Sequence, residues 1–174
     1  AFARALSKRW KAAVRKYLID ENTMLAAGNC QTSQAMAIYY NIFEPAERKA
    51  AFEQLINLIE EQEYHLDVGV LGGRVLFHVL TDFGYSDLAF SMITRPDYPS
   101  YGNWIARGAT TLWEVFQPEG SDHIGSLNHH FWGDISSWFT QALSGIRMAP
   151  HGEPNEADFR PSFISRLTHA EAFH

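Results

Sequence analysis

The sequence predicts an all-α protein built from paired helices. Apolar residues recur three and four positions apart in successive segments, which is the spacing of one buried helix face. Glycine- and proline-containing stretches separate these segments, and no long strand pattern occurs before Ala149. Short turns alternate with longer loops, so we expect antiparallel α/α-hairpins, in a bundle or a toroid, rather than a coiled coil.

Three helices are predicted in the first third of the chain. The first has basic residues on its solvated face and an apolar stripe formed by Leu6, Trp10, Ala13, Val14, Tyr17 and Leu18. The second runs from about Gln31 to Phe43. Proline suits the first turn of a helix, so Pro45 begins the third, which has a buried stripe of Phe52, Leu55, Ile56 and Ile59.

The middle of the chain predicts two more helices and a loop. HLDVGVLGG, residues 65–73, reads as a glycine-rich loop before an interior helix from Arg74 to Phe83. Ser86 is a suitable N-cap for the next helix, Asp87 to Thr94. RPDYPSYGN, residues 95–103, follows as a loop because it contains two prolines among turn-forming residues.

The last part of the chain predicts a short helix, a long helix and a domain boundary. The short helix is Ala109 to Phe116, followed by a polar loop. A final helical stripe comprises Ile135, Trp138, Phe139, Ala142, Leu143 and Ile146. We place a boundary near Ala149, so that residues 1–149 are helical and residues 150–174 are a linker with a small β element beginning in FISRLTHAEAFH.

Composition excludes several classes of function. The chain has 174 residues, 46% of them hydrophobic, and a formal charge of −6, which gives no general attraction to nucleic acid. No apolar run approaches the roughly 18 residues that a membrane span needs. The single cysteine, Cys30, excludes an internal disulfide framework but leaves the cellular compartment open. The chain begins at Ala1 inside a helical pattern and ends at His174 without an obvious stop, so we expect a portion of a longer protein.

Glu114 is the side chain that most needs an explanation. It is the single acid in GATTLWEVFQ, residues 108–117, and stands among large apolar residues. A carboxylate in such surroundings is usually paired, hydrogen-bonded or placed at a cleft for a chemical task. From the residues alone, helix capping or an ion pair with an arginine such as Arg107 is a full alternative to catalysis.

The loops are rich in aromatic side chains together with carboxylates and histidines. Rings that stack on the C–H faces of a sugar, with polar groups for its hydroxyls, suit carbohydrate binding. The alternative is that most of these rings belong to the core. The residues concerned are Asp67, Tyr98, Tyr101, Trp104, Trp113, Glu114, His123, His129 and Trp132.

No motif predicts a metal site or a nucleotide site. His129 and His130 are adjacent, so on a helix or a strand their rings would point apart, and HExxH is absent. The sequence also lacks the GxSxG nucleophile elbow and the GxxxxGK[ST] phosphate loop. We therefore expect no metal and no nucleotide cofactor.

Five segments follow one another between about Gln31 and Gly145: QTSQAMA, HLDVGVLGG, GYSDLAF, YPSYGNWIARGATTLWE and SLNHHFWGDISSWF. In order and spacing they resemble the C-terminal half of the catalytic domain of bacterial α-L-rhamnosidases of glycoside hydrolase family 78. DFRPSF, further along the chain, resembles the entry to the C-terminal β-sandwich of that family.

The resemblance implies a fold, an activity and roles for particular residues. The fold is part of an (α/α)6 toroid, and the activity is inverting, exo-acting hydrolysis of terminal α-L-rhamnose from glycosides or polysaccharides, without a cofactor. By position, Glu114 is the general base, and His129 contacts the sugar with Asn128 beside it. Tyr101, Trp104 and Trp113 supply aromatic faces at the same site.

Two departures from the family pattern keep alternatives open. Tyr101 replaces a tryptophan that the family commonly has, which affects the expected sugar preference. No counterpart of the family's general acid occurs before Gln31, so we expect that acid in the remainder of the parent polypeptide and no activity in the chain alone. The alternatives are a six-hairpin glycosidase acting on a different sugar and a non-catalytic carbohydrate-binding helical module.

Overall fold

The computed structural model describes residues 2–122, 125–148 and 156–173. Within these residues it contains seven α-helices, one π-helical turn and four strands of two or three residues. The chain forms two compact units, Ala1–Val79 and Leu80–His174. None of the helices in the described ranges has both the length and the apolar character needed to cross a bilayer.

The first unit contains four helices and a small hairpin. Helix α1 (Phe2–Leu18) leads into strand β1 (Ile19–Asp20), which pairs antiparallel with β2 (Leu25–Ala26). Helices α2 (Gln31–Tyr39) and α3 (Arg48–Glu61) pack against each other. Helix α4 (Val70–Asp82) follows and continues past the boundary of the unit. The predicted helices are therefore present, and the hairpin is an element that the sequence did not predict.

Helix α1 packs differently from the prediction. Trp10 and Tyr17, assigned to a buried stripe, are 67% and 72% exposed. Two of the basic residues assigned to the solvated face instead make ion pairs: Arg15 with Glu47 at 2.6 Å and Lys11 with Glu44 at 2.9 Å. Spacing identifies the apolar face of a helix, but the neighbours actually present decide which face is covered.

Two buried glutamines connect α2 to the irregular parts of the first unit. The amide of Gln34 donates to the carbonyls of Met24 and Ala51, and its oxygen accepts from the N–H of Ala26. Gln31 donates to the carbonyl of His65 at 2.8 Å. Both side chains are fully buried, so their hydrogen-bonding groups need protein partners. The hairpin, α3 and the loop before α4 are thereby fixed to one helix.

The boundaries of α2, α3 and α4 differ from the prediction by a few residues. Helix α2 ends at Tyr39 rather than near Phe43, and α3 begins at Arg48 rather than at Pro45. Helix α4 begins at Val70 rather than Arg74, so Gly72 lies inside the helix, facing Thr32 where no side chain would fit. We predicted a loop at Gly72 and Gly73 because of their low helix propensity. Glycine in a helix costs about 1 kcal/mol relative to alanine, and the close packing against Thr32 outweighs this cost.

The second unit contains the remaining helices and the second strand pair. Helix α5 (Ser86–Thr94) agrees with the prediction except that Tyr85 occupies the N-cap position. Helix α6 (Tyr101–Ala106) begins inside the predicted loop. Its N-cap residue Ser100 accepts a hydrogen bond from the N–H of Asn103 at 2.8 Å, which stabilises the first turn.

The predicted helix from Ala109 to Phe116 is wrong. These residues contain no helix, because their main chain bonds to residues 126–129 instead of to itself. The predicted long final helix is α7 (Asp134–Trp138) followed directly by a π-helical turn, Phe139–Leu143. Ile135, Trp138 and Ala142 are buried, as the stripe predicts, whereas Phe139 of the same stripe is exposed.

The predicted β element is present, but not where the sequence placed it. Strand β3 (Ile146–Met148) pairs antiparallel with β4 (Ala157–Phe159), and Ile146 lies opposite Phe159. Residues 163–173, which include the described part of FISRLTHAEAFH, contain no strand. Ala149 lies outside the described residues, so the division into residues 1–149 and 150–174 stays a prediction.

The ion pair between Arg15 and Glu47 is bidentate and partly shielded. Both guanidinium nitrogens bond to the Glu47 carboxylate, at 2.6 and 2.9 Å, and the N–H of Glu44 adds a bond at 2.7 Å. These hydrogen bonds hold the pKa of Glu47 below its ordinary value, with that from Arg15 contributing most. The stability they supply is present above the unfolded pKa of about 4.3 and is lost as the pH falls through the lower folded pKa.

We therefore expect Glu47→Gln to lower the free energy of unfolding at neutral pH by about 1 kcal/mol. Below about pH 4 the difference in stability from the wild type should shrink, because the Glu47 carboxyl becomes protonated first in the unfolded chain and then in the native protein. Denaturant unfolding followed by circular dichroism measures both effects. Glu53→Gln is the control: its pair with Lys49 is exposed and 3.8 Å long, so it should change nothing measurable. Equal losses in the two variants would contradict the prediction.

Candidate active site

Two irregular segments of the second unit, residues 111–114 and 126–129, lie side by side. The N–H of Glu114 donates to the carbonyl of Ser126, and the N–H of His129 donates to the carbonyl of Leu112, both at 2.8 Å. The hydroxyl of Thr111 donates to the carbonyl of Leu127. The pairing is antiparallel without forming a regular strand. It places Glu114, Asn128 and His129, all predicted site residues, on adjoining segments.

Glu114 is held at three of its four polar atoms. Its N–H bonds to Ser126, and its carbonyl accepts the indole N–H of Trp132 at 2.9 Å. Its carboxylate oxygen Oε2 accepts the N–H of Ser126 at 2.8 Å. The other oxygen, Oε1, accepts no hydrogen bond from the residues that the structure describes. The bond to Oε2 fixes the direction of the carboxylate. Because the side chain is only half-buried, Oε1 is available to other partners.

Arg107 does not pair with Glu114. Its guanidinium lies 5.1 Å from the centre of the Trp113 ring and donates to the carbonyl of Gln117 at 2.7 Å. Glu114 is also not at a helix end. The two structural alternatives considered for this carboxylate, an ion pair with Arg107 and helix capping, are therefore wrong.

A cluster of five aromatic rings supports the Glu114 segment. The rings of Trp104 and Phe116 stack with centroids 4.3 Å apart, and Phe116 lies 4.5 Å from Trp132. The hydroxyl of Tyr101 donates to the carbonyl of Trp132 at 3.2 Å. Burial, together with the nearby charge of Asp134, raises the pKa of Tyr101, so its hydroxyl stays protonated. The members of this aromatic cluster are Tyr101, Trp104, Trp113, Phe116 and Trp132.

Three rings predicted to contact a sugar are buried in this cluster. Tyr101 is 7% exposed, Trp104 2% and Trp113 9%. Their ring faces lie largely against one another, as the core interpretation of the loop aromatics expects. A contact between these three rings and a sugar stays a prediction.

Asn128 and His129 present accessible side chains on the segment that pairs with the Glu114 segment. Asn128 is exposed and His129 half-buried. The Nδ1 atom of His129 accepts the N–H of Phe131 at 3.3 Å, so the neutral ring carries its proton on Nε2 and offers a donor there. Contrary to the prediction, the rings of His129 and His130 do not point apart: they stack in parallel with centroids 5.3 Å apart. The alternation rule fails because this segment is neither helix nor strand.

Other predicted residues lie elsewhere. Asp67 belongs to the loop before α4 in the first unit, and His123 lies outside the described residues. Among the residues that the structure describes, no group of three or more His, Cys, Asp and Glu side chains is arranged to hold a metal ion. Sequence reasoning missed the contribution of Ser126, which acts through its main-chain N–H and so has no side-chain signal.

Comparison with known proteins decides the family. The sequence profile of the bacterial alpha-L-rhamnosidase 6 hairpin glycosidase domain matches residues 2–143. The chain belongs to this family. The family match and the observed helices confirm the predicted all-α class, and the structure contains a short strand pair near the C-terminus.

Relatives of the α-L-rhamnosidase family cover most of this chain. It is 35% identical over 143 residues to an alpha-L-rhamnosidase of Streptomyces avermitilis, covering 79% of this chain and 13% of the relative. It is 32% identical over 169 residues to an alpha-L-rhamnosidase of an Alteromonas species, covering 91% and 18%. The chain thus spans less than a fifth of the length of either relative.

Solved α-L-rhamnosidase structures share the fold. The crystal structure of the Streptomyces avermitilis enzyme complexed with L-rhamnose superposes with a TM-score of 0.79 at 30% identity, covering 91% of this chain and 16% of that one. The Aspergillus terreus enzyme superposes with a TM-score of 0.72 at 29% identity, covering 83% and 17%.

Gly102 fixes the position of helix α6 and thereby of the aromatic cluster. A Cβ atom there would lie 2.3 Å from the carbonyl oxygen of Arg95 and 2.6 Å from the carbonyl carbon of Thr94. Both are main-chain atoms, which cannot move aside without shifting the end of α5. Only glycine permits this close approach.

We expect Gly102→Ala to lower the free energy of unfolding by about 2 kcal/mol, because the clash outweighs the better helix propensity of alanine. Denaturant unfolding followed by tryptophan fluorescence measures the change. Gly69→Ala is the matched control, since no atom lies within 4 Å of the added methyl group. A Gly102→Ala protein as stable as the control would show that α6 is free to move.

Proposed function

We propose that this chain is part of an inverting α-L-rhamnosidase in which Glu114 is the general base. The observation that carries the proposal is that the two oxygens of the Glu114 carboxylate differ in their hydrogen bonds. Oε2 accepts the N–H of Ser126, while Oε1 accepts no hydrogen bond from the described residues. A base needs an oxygen that is fixed in direction and open to the water it activates. Membership of the α-L-rhamnosidase family supplies the reaction class.

In the proposed reaction, water attacks the anomeric carbon of a terminal rhamnose from the face opposite the leaving group. Oε1 of Glu114 takes the proton from that water as the C–O bond forms. The glycosidic C–O bond breaks, and a carboxylic acid on the other face protonates the leaving oxygen. Inverting enzymes separate the two carboxyl groups by about 6.5–9.5 Å to admit the water. We place the acid outside this chain, in the remainder of the parent polypeptide.

For sugar recognition we propose His129 and Asn128. Both are accessible and lie on the segment paired with that of Glu114. The Nε2–H of His129 is a donor for a sugar hydroxyl, and the amide of Asn128 both donates and accepts. The solved relative from Streptomyces avermitilis was crystallised with L-rhamnose. The substrate we propose is accordingly a glycoside or polysaccharide with terminal α-L-rhamnose.

The test is Glu114→Gln in the full-length protein, assayed with p-nitrophenyl α-L-rhamnoside. The amide oxygen of glutamine still accepts the N–H of Ser126, so the fold should persist while the base is lost. We expect kcat to fall by about 10²- to 10⁴-fold. Glu119→Gln is the matched control, because Glu119 is an exposed acid close by in sequence, and it should retain full activity.

The product and the substrate range complete this test. NMR of the first product should show the β anomer, as inversion requires. Full activity in Glu114→Gln would exclude this residue as the base, and release of the α anomer would exclude inversion. Cleavage of another sugar in preference to rhamnose would identify a different six-hairpin glycosidase. Saturable rhamnose binding by the full-length protein without hydrolysis would indicate a binding module.

A further inference from the structure

Trp132 is bonded to the main chain of Glu114 and is itself immobilised. Its indole N–H donates to the Glu114 carbonyl at 2.9 Å, and its own carbonyl accepts the hydroxyl of Tyr101 at 3.2 Å. The side chain is 5% exposed and lies against Phe116, with ring centroids 4.5 Å apart. A Trp132 ring held on this many sides fixes the direction in which the Glu114 carbonyl points.

Gly125 leaves the space in which the Glu114 carboxylate meets Ser126. A Cβ atom at Gly125 would lie 3.3 Å from Oε2 of Glu114 and 3.2 Å from Cγ2 of Val115. Both distances are tighter than ordinary van der Waals contact. An added methyl group would therefore push against the oxygen that the N–H of Ser126 holds at 2.8 Å.

We propose that Trp132 and Gly125 are positioning residues that act through Glu114. Trp132 sets the main chain of Glu114, and Gly125 allows its carboxylate to reach the N–H of Ser126, so that Oε1 points in one direction. This inference rests on the proposed role of Glu114 as the base. The indole N–H of Trp132 is already engaged with a main-chain carbonyl, so Trp132 moves no proton in the reaction.

The first test compares Trp132→Phe with Trp138→Phe in the full-length protein. Each change removes one buried indole N–H and keeps an aromatic ring; Trp138 donates to the hydroxyl of Thr81 at 2.9 Å and does not bond to Glu114. A misplaced base lowers the rate of the chemical step without weakening substrate binding. We expect Trp132→Phe to lower kcat between about 10- and 100-fold with KM nearly unchanged, and Trp138→Phe to leave both constants of the folded enzyme near wild type.

A double-mutant cycle separates positioning from general destabilisation. If Trp132 acts through Glu114, then Trp132→Phe should cost no further activity once Glu114→Gln has removed the base. A merely structural effect would lower the residual activity by the same factor in both backgrounds. Additive losses would therefore overturn the proposal.

Gly125→Ala tests the same inference without removing a side chain, and so keeps it testable if Trp132→Phe fails to fold. We expect kcat to fall about 10-fold with KM nearly unchanged, whereas Gly69→Ala, whose methyl group enters open space, should behave as wild type. Full activity in both Gly125→Ala and Trp132→Phe, beside an inactive Glu114→Gln, would overturn the positioning role alone. Full activity in Glu114→Gln would overturn the proposed function and this inference with it.

Discussion

The pairing of buried polar groups governs how the irregular parts of each unit are held. An unpaired buried donor or acceptor costs about 1–3 kcal/mol, so most such groups have a partner. Among the described residues, Nε1 of Trp104 and Oε1 of Gln117 are buried without one. In the first unit, Gln31 and Gln34 meet this demand by bonding to main-chain atoms of the hairpin, of α3 and of the loop before α4. In the second unit, Trp132 bonds to the carbonyl of Glu114. Segments without regular secondary structure therefore acquire defined positions from a few side chains.

The same demand shapes the chemistry proposed for Glu114. A carboxylate that satisfies all its acceptor capacity inside the protein is well ordered but unreactive, and one that satisfies none is reactive but poorly placed. Here the two oxygens differ: Oε2 is bonded to a main-chain N–H, and Oε1 is left for other partners. The main chain of Glu114 is fixed separately, by Ser126 and Trp132. In Glu114, one carboxylate oxygen and the main chain fix the position of the residue, and the other carboxylate oxygen is available to a partner. Loops supported by a rigid core can hold a side chain in this way.

Local patterns predicted most helices but not the connections between them. Apolar spacing predicted helices α2, α3 and α5. It missed α6, because two prolines just before that helix indicated a loop, and it wrongly predicted a helix at residues 109–116. That error arose because the hydrogen bonds of Glu114 go to Ser126, twelve positions away, and spacing does not report such partners. Glu114, Asn128 and His129 were predicted as site residues from family motifs. The groups that support Glu114 were not predicted. Neither an indole bonded to a main-chain carbonyl nor a main-chain N–H donor produces a recognisable motif in a single sequence.

The π-helical turn after α7 also determines where the C-terminal segment meets the helices. The turn closes hydrogen bonds over one residue more than an α-turn does, and the helix ends directly after it at Ser144 and Gly145. Gly145 has a φ of 69°, and its carbonyl accepts the N–H of Arg160 at 2.9 Å. A Cβ atom at Gly145 would lie 2.1 Å from the nitrogen of Pro161, so the two main chains touch at this point. A deletion within residues 139–143 would rotate Gly145 by about 100° around the helix axis and would separate it from this contact.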